Sequence, residues 1–282
     1  MLTPQEEEHI YTFAYVPEHI VSLMVSVSRG EPFLADNFVY YVGNNWLIFV
    51  GYPLEGSFSV DTCEAVLRDL RKRFRPEYLW FIGEMIPSSL TSNCTERESD
   101  QYYKLDLLSL TIKSDLRRAL RKTSPSLSIE RSRTMSRQHA ELSDEFISRE
   151  NPSPRIKAFY LAMPDYVSRS PTAVVLNGWS SKGELSAYYV VELGAKAFAT
   201  YVVGCHSKKH YVPHASDLLF LEMIHLSQES EKNSIHLGLG VNPGIRRFKE
   251  KWGGLPFLKY EFCEQRAGHP IASFLRSIEE KL

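Results

Sequence analysis

The chain has no long apolar run. Nowhere in its 282 residues does a stretch approach the roughly 18 apolar residues that a membrane-spanning helix needs. The best stretch, His19 to Val27, is short and broken by serines. A basic and then apolar leader is also missing, since the chain opens acidic, Met1-Leu-Thr-Pro-Gln-Glu-Glu-Glu. Cysteine is sparse. Cys63, Cys94, Cys205 and Cys263 stand singly with no CxxC pair, which suggests neither a zinc knuckle nor a disulfide framework. A reducing cytoplasm is the location this implies. Neither sign of charge is in excess: 33 Lys and Arg against 34 Asp and Glu leave a net charge of -1. Attraction to nucleic acid or membrane must then come from a local patch.

What is present is globular. Hydrophobic residues make up 43% and charged residues 24%, and the length suits two modules or one large one. In the first half, Phe38–Tyr41 and Trp46–Tyr52 flank Gly43-Asn44-Asn45 as a hairpin. A helix follows a cap region at Ser59–Asp61, with Val66, Leu67, Leu70 and Phe74 at helical spacing up to Pro76. Tyr78–Ile82 and Tyr102–Leu108 read as strands. The second half repeats the order. Leu185–Leu193 and Ala197–Gly204 form a hairpin, a helix is capped near Ser216–Asp217, and Ser234–Leu239 and Phe257–Phe262 are strands. Corresponding points lie about 156 positions apart (Asp61 and Asp217, Gly83 and Gly238, Tyr103 and Tyr260). A near-constant offset without sequence identity is the footprint of an old duplication; hairpin, helix, strand is also a common unit.

Between the repeats lies a basic stretch. A short helix over Lys113–Lys122, capped by Ser114, buries Leu116, Ala119 and Leu120 and carries Arg117, Arg118, Arg121 and Lys122. Pro152–Pro154 reads as a loop, and Arg155–Tyr166 as a helix broken late by Pro164. Ile271, Phe274, Leu275 and Ile278 share one face of a terminal helix.

Three stretches, in order, carry a resemblance. They are Leu116-Arg-Arg-Ala-Leu-Arg-Lys122 with strand Leu127–Glu130, Ser216-Asp-Leu-Leu219 opening a helix, and His236-Leu-Gly-Leu-Gly240 followed by Gly244-Ile-Arg-Arg-Phe-Lys-Glu-Lys-Trp-Gly253. Together they resemble the tandem GNAT proteins of the Fem type and the catalytic domain of phosphatidylglycerol lysyltransferases. The Phe248-Lys-x-Lys-Trp-Gly253 stretch is the most specific part. The resemblance spans about residues 105–262 and rests on element order before that. It implies an α/β (α+β) fold of tandem GNAT-like domains, two mixed, mostly antiparallel sheets flanked by helices. The N-terminal domain would be 1–110, and the C-terminal domain, 111–282, would hold the active site. It further implies transfer of an aminoacyl group from charged tRNA to an amine or hydroxyl. Arg247, Lys249 and Lys251 would meet the donor's phosphates or terminal nucleotide, and Asp217 would match an aspartate of the lysyltransferases. An acyl-CoA donor fits less well. A CoA-using GNAT carries a glycine-rich loop between its central hairpin and the next helix, whereas Cys205–Ala215 has no glycine after Gly204. A catalytically silent module binding nucleotide, tRNA or protein is the second reading, and an acetyl-CoA-dependent N-acetyltransferase the third.

Each candidate residue has a plain alternative. Asn242 can cap and Pro243 can sit at the first helical position, so the Arg246, Arg247, Lys249 and Lys251 turn would offer free N–H groups beside its cations. It could equally be a solvated turn anchored by Phe248 and Trp252. Arg117, Arg118, Arg121 and Lys122 could grip tRNA phosphates or simply face water. Acyl transfer needs a route for the acceptor's proton; Asp217, Glu192 and Lys249 are the candidates, with a buried cap as the alternative for Asp217. Tyr201 is expected on one face with Ala199 and Val203. His206, His210 and His214 recur every four residues, but Pro213 argues for a loop over a metal face. The glycines at 238, 240 and 244 have the wrong spacing for a dinucleotide fingerprint.

Overall fold

The computed structural model describes residues 2–266, so the terminal helix expected around Ile271–Ile278 lies outside the described residues. The elements run α1 (Pro4–Phe13), α2 (Val21–Ser28), β1 (Glu31–Ala35), β2 (Phe38–Val42), β3 (Trp46–Gly51), α3 (Val60–Phe74), β4 (Tyr78–Gly83), α4 (Ser88–Thr91), β5 (Cys94–Asp106) and α5 (Ser114–Thr123). They continue β6 (Leu127–Ser132), α6 (Arg137–Glu150), α7 (Pro154–Arg169), β7 (Ala173–Ser180), β8 (Leu185–Glu192), β9 (Phe198–His206), α8 (Ala215–Glu229), β10 (Ser234–Leu239), α9 (Pro243–Lys251) and β11 (Leu255–Arg266). Among the described residues no helix is long and apolar enough to cross a membrane.

Two compact units share these elements. Among the described residues, one comprises 30–100 with 259–266, the other 4–29 with 101–258. These units are not contiguous in sequence and do not coincide with a division at 110/111. The first unit holds β1 to β4 with α3. Ser59 caps α3, its hydroxyl accepting from the Thr62 N–H, and Cys63, Val66, Leu67 and Leu70 turn inward onto Phe38, Phe49 and Phe81. β11 runs antiparallel to β4 there, Phe262 opposite Ile82.

In the second unit the sheet is covered on both faces. One face packs α8 and α5 through Leu116, Leu120, Leu218, Leu219, Met223 and Trp252. The other packs α7 and α2 through Tyr160, Met163, Tyr166, Ile20 and Leu23. All eight residues of β8 are therefore buried, as expected of a strand covered on both sides. Parity divides them, Tyr189 and Val191 toward α8, Tyr188 and Val190 toward α7.

The structure revises several expectations. The strands form one eleven-stranded sheet in the order β1-β2-β3-β4-β11-β5-β10-β9-β8-β7-β6, not two sheets. The long strands β5 and β11, 13 and 12 residues, each contribute to both units. α7 runs through Pro164 to Arg169, because Tyr166 and Val167 beyond the proline are core residues that hold the last turn. Pro154, expected in a loop, is its first helical residue, where no N–H is needed. Cys94 and Cys263, 169 positions apart, are disulfide-bonded with their Cα atoms 5.6 Å apart, inside the range a bridge requires. Sequence spacing gave no sign of this pairing, because the sheet alone brings β5 and β11 together.

Candidate functional site

The site grows from an opening in the sheet of the second unit. β9 and β10 pair in parallel only where Phe198–Thr200 meets Ser234–His236. Beyond Thr200 and His236 both strands become irregular. β9 carries a bulge, Val191 facing Tyr201 and Val190 facing Val203, which leaves Val202 as the extra residue. β10 shifts register between His236 and Leu239, where Gly238 has a positive φ of 72°. The carboxyl end of parting strands is the usual ligand position in open α/β sheets. α8 follows β9 and α9 follows β10, and the first turn of α8 meets the last turn of α9.

The bulge also changes who faces whom. Ala199 and Tyr201 turn to the α8 face, but Val203 turns to the α7 face, so the expected grouping of Tyr201 with Val203 is corrected by one inserted residue. The Tyr201 ring meets Tyr189 edge-on, centroids 4.9 Å apart. Tyr189 donates its hydroxyl to the Ser216 carbonyl at 2.9 Å. Burial raises the pKa of both phenols, so each stays protonated. Gly204 permits this arrangement, since a Cβ there would lie 2.3 Å from the Tyr201 hydroxyl.

Asp217 is the most highly connected side chain where α8 and α9 meet. It is 5% exposed. Its Oδ1 accepts from Trp252 Nε1 at 3.1 Å and from Lys251 Nζ, and its Oδ2 faces His214 Nδ1 at 2.9 Å. The helix begins one residue earlier than Ser216. Its cap is His214, in the left-handed region at φ 58°, with no side-chain cap hydrogen bond. On α9, Asn242 caps through Ile245 N–H with Pro243 in the first turn, as its sequence implies. Lys249 turns inward, donating to the Leu239 carbonyl at 2.5 Å with its ammonium 5.4 Å from the Tyr103 ring. Lys251 is half-buried on Asp217, Arg247 is exposed, and Phe220 is met edge-on by Phe248 and stacked on by Trp252. The structure thus brings Asp217 and Lys251 together, with Lys249 against the end of β10.

Other candidates are elsewhere. Glu192 sits at an even position of β8, on the α7 face and away from α8. There it accepts from Tyr166, Thr172, Ser170 Oγ (3.1 Å) and Gly194 N–H (2.6 Å). Four donors engage it on the α7 face, whereas Asp217 lies in the first turn of α8. Arg117, Arg121 and Lys122 are exposed on α5, and Arg118 lies 3.8 Å from Asp115. The three histidines are parcelled out: His206 is exposed, His210 lies 2.7 Å from Glu184, and His214 lies on Asp217.

Two features lay unread in the sequence. His236 is buried among Tyr102, Phe257 and Phe198, with Nδ1 accepting from Gly238 N–H and Nε2 without a partner. Burial above all, then Lys249 and Lys104, presses it down to about 3, so it is neutral. Trp252 Nε1 is the second, and an aspartate opening a helix ahead of a Lys-x-Lys-Trp stretch was its only available signal.

No protein-family model matches the sequence, and no curated protein matches it by sequence. Solved structures do match over almost the whole chain. A C-terminal domain assigned to a lysylphosphatidylglycerol synthetase from Agrobacterium fabrum is 18% identical, with a TM-score of 0.63 over 96% of this chain and 95% of that one. FemX is 10% identical, with a TM-score of 0.66 over 97% and 98%. A tandem GNAT protein from the clavulanic acid biosynthesis pathway is 13% identical, with a TM-score of 0.53 over 94% of each chain. The likeness is one of fold: the chain has the GNAT-like architecture of this group, as its motifs imply.

Proposed function

We propose that the protein is an acyltransferase that moves an acyl group from an activated donor to an amine or hydroxyl, with aminoacyl-tRNA favoured over acyl-CoA. The observation that carries this reading is the end of β9–β10 pairing at Thr200 and His236, together with the Asp217–Lys251 pair and the inward Lys249 on the helices that follow those strands. The bulge at Val202 breaks the ladder there, and a backbone N–H at that break is the group proposed to stabilise the oxyanion formed on the donor carbonyl. Arg247, Lys251 and Lys249 supply positive charge for the donor phosphates, and the exposed row Arg117, Arg118, Arg121 and Lys122 is offered for the tRNA backbone. Fold neighbours named FemX and lysylphosphatidylglycerol synthetase support this choice. CoA is disfavoured because the β9–α8 connection reaches its helix through a left-handed histidine, without the glycines a pyrophosphate cradle uses. The chain's two halves, 1–110 and 111–282, are read as a duplicated GNAT-like pair with the chemistry in the second, acting in the cytoplasm.

A silent binding module is the second reading. It is favoured by the internal partners already engaging Asp217, Lys249 and Glu192. The test is a thermal-shift titration of the protein with a charged-tRNA pool, acetyl-CoA and free CoA, followed by transfer of radiolabelled amino acid. Saturation at 100 times Kd adds about 2.7 kcal/mol of apparent stability. A shift with charged tRNA and loss of label from it support transfer. A shift without loss of label favours the silent module, and a shift with acetyl-CoA alone overturns the donor assignment.

A further inference from the structure

We propose that His214 is the general base of the transfer and that Asp217 is its positioning residue. This rests on the acyl-transfer reading above and deepens it. Asp217 itself is poorly placed to take a proton from an acceptor. Its side chain is only 8% exposed, Oδ1 is occupied by Lys251 and Trp252, and Oδ2 is turned to His214. The exposed member of the group is His214, with 42% of its side chain accessible. A carboxylate 2.9 Å from Nδ1 holds the proton on that nitrogen, leaving the lone pair on Nε2 at the open end of the ring. Lys251 balances the Asp217 charge, so the carboxylate serves as a fixed acceptor.

The backbone supports the same assignment. His214 occupies a left-handed conformation, φ 58° and ψ 15°, that costs a non-glycine residue about 1 kcal/mol or more. Glycine or asparagine would suit this left-handed position at least as well. The strained residue also does not cap the helix with its side chain; its imidazole lies on a carboxylate three residues on. Its location fits the work: Ser216, two residues later, is tied by Tyr189 to Tyr201, the residue that begins the β9 bulge.

The step balances. As the acceptor's lone pair bonds to the donor carbonyl carbon, its N–H or O–H proton passes to His214 Nε2 and the C=O pair moves onto oxygen. When the intermediate collapses, the C–O bond to the tRNA ribose breaks. The ribose oxygen leaves with that pair and takes the proton back from Nε2. The products are an acylated acceptor and tRNA with a free hydroxyl.

The experiment uses the full chain, a tRNA pool charged with radiolabelled amino acids, and ethanolamine as a small amine and hydroxyl acceptor. The parent is compared with His214→Gly and His214→Asn, both of which suit a positive φ. Helix content by circular dichroism checks that each variant is folded. The expected result is a drop in kcat of about 100-fold or more, with KM for charged tRNA little changed. Imidazole added to His214→Gly should recover at least tenfold, with no such effect on the parent or on His214→Asn. Retained kcat in either variant, or a loss that imidazole does not touch, overturns the base assignment and leaves the transfer reading standing. A parent that transfers no label from the pool overturns the transfer reading and the base with it.

Discussion

Replacing Asp217 by alanine separates a hydrogen-bonding hub from a surface ion pair. Three donors converge on the carboxylate, and each loses it under different conditions. Trp252 is 2% exposed, so its Nε1–H is left buried and unpaired at a cost of about 1–3 kcal/mol. Lys251, 39% exposed, swings to water and loses about 0–1 kcal/mol, as exposed pairs do. His214, at 42% exposure, rehydrates with little loss. The expected total is about 1–4 kcal/mol, most of it from the indole. Lys251→Met should cost less, about 1 kcal/mol, because Asp217 keeps two donors and the ammonium was already half in water. Urea denaturation followed by tryptophan fluorescence and by circular dichroism gives both numbers. An Asp217→Ala cost below 1 kcal/mol, or a Lys251→Met cost larger than that of Asp217→Ala, would refute the view that Asp217 chiefly satisfies a buried indole.

Three further outcomes are expected. His236 is held neutral with its folded value near 3, below the ordinary value near 6.5, so the unfolded chain binds more protons between those limits. Its stability contribution is complete above pH 6.5 and is lost as pH falls, with a slope approaching about 1.4 kcal/mol per pH unit; subtracting the pH–stability curve of His236→Phe from that of the parent should reveal that slope. With Cys94 and Cys263 bridged and Cys63 and Cys205 free, unfolding without reductant should expose two titratable thiols, and four would disprove the bridge. Gly204→Ala puts a Cβ 2.3 Å from the Tyr201 hydroxyl and 2.6 Å from a Tyr189 ring carbon. A loss of about 1–3 kcal/mol is expected, partly recovered in the double variant with Tyr201→Phe, and no recovery would mean that Tyr189 is the true obstacle.

The sequence was most readable where local chemistry is self-contained. Ser59 before α3 and Asn242-Pro243 before α9 are caps whose partners lie three residues away, and both formed as expected. The Cys94–Cys263 bridge depends on contacts 169 positions apart, beyond any local pattern. Strand parity was the least readable feature of the site. Every residue of β8 is buried, so alternation does not tell which face Glu192 takes, and one extra residue in β9 turns Val203 away from Tyr201. On α9 the burial of Trp252 and the packing of Phe248 turn Lys251 onto Asp217 and Lys249 inward. His214 was noticed for its four-residue spacing, and its actual partner three residues on was not read.

The interleaved make-up of the two compact units bears on how the protein is born. The unit carrying the candidate site needs Ala14, Ile20 and Leu23 beside Tyr160, Met163 and Tyr166. Those helices leave the ribosome first and must wait for more than a hundred later residues before their partners arrive. The other unit waits longer still, since it draws on residues 259–266. A ribosome pause before residue 259 would leave the unit of residues 30–100 without the β11 residues that pair with β4.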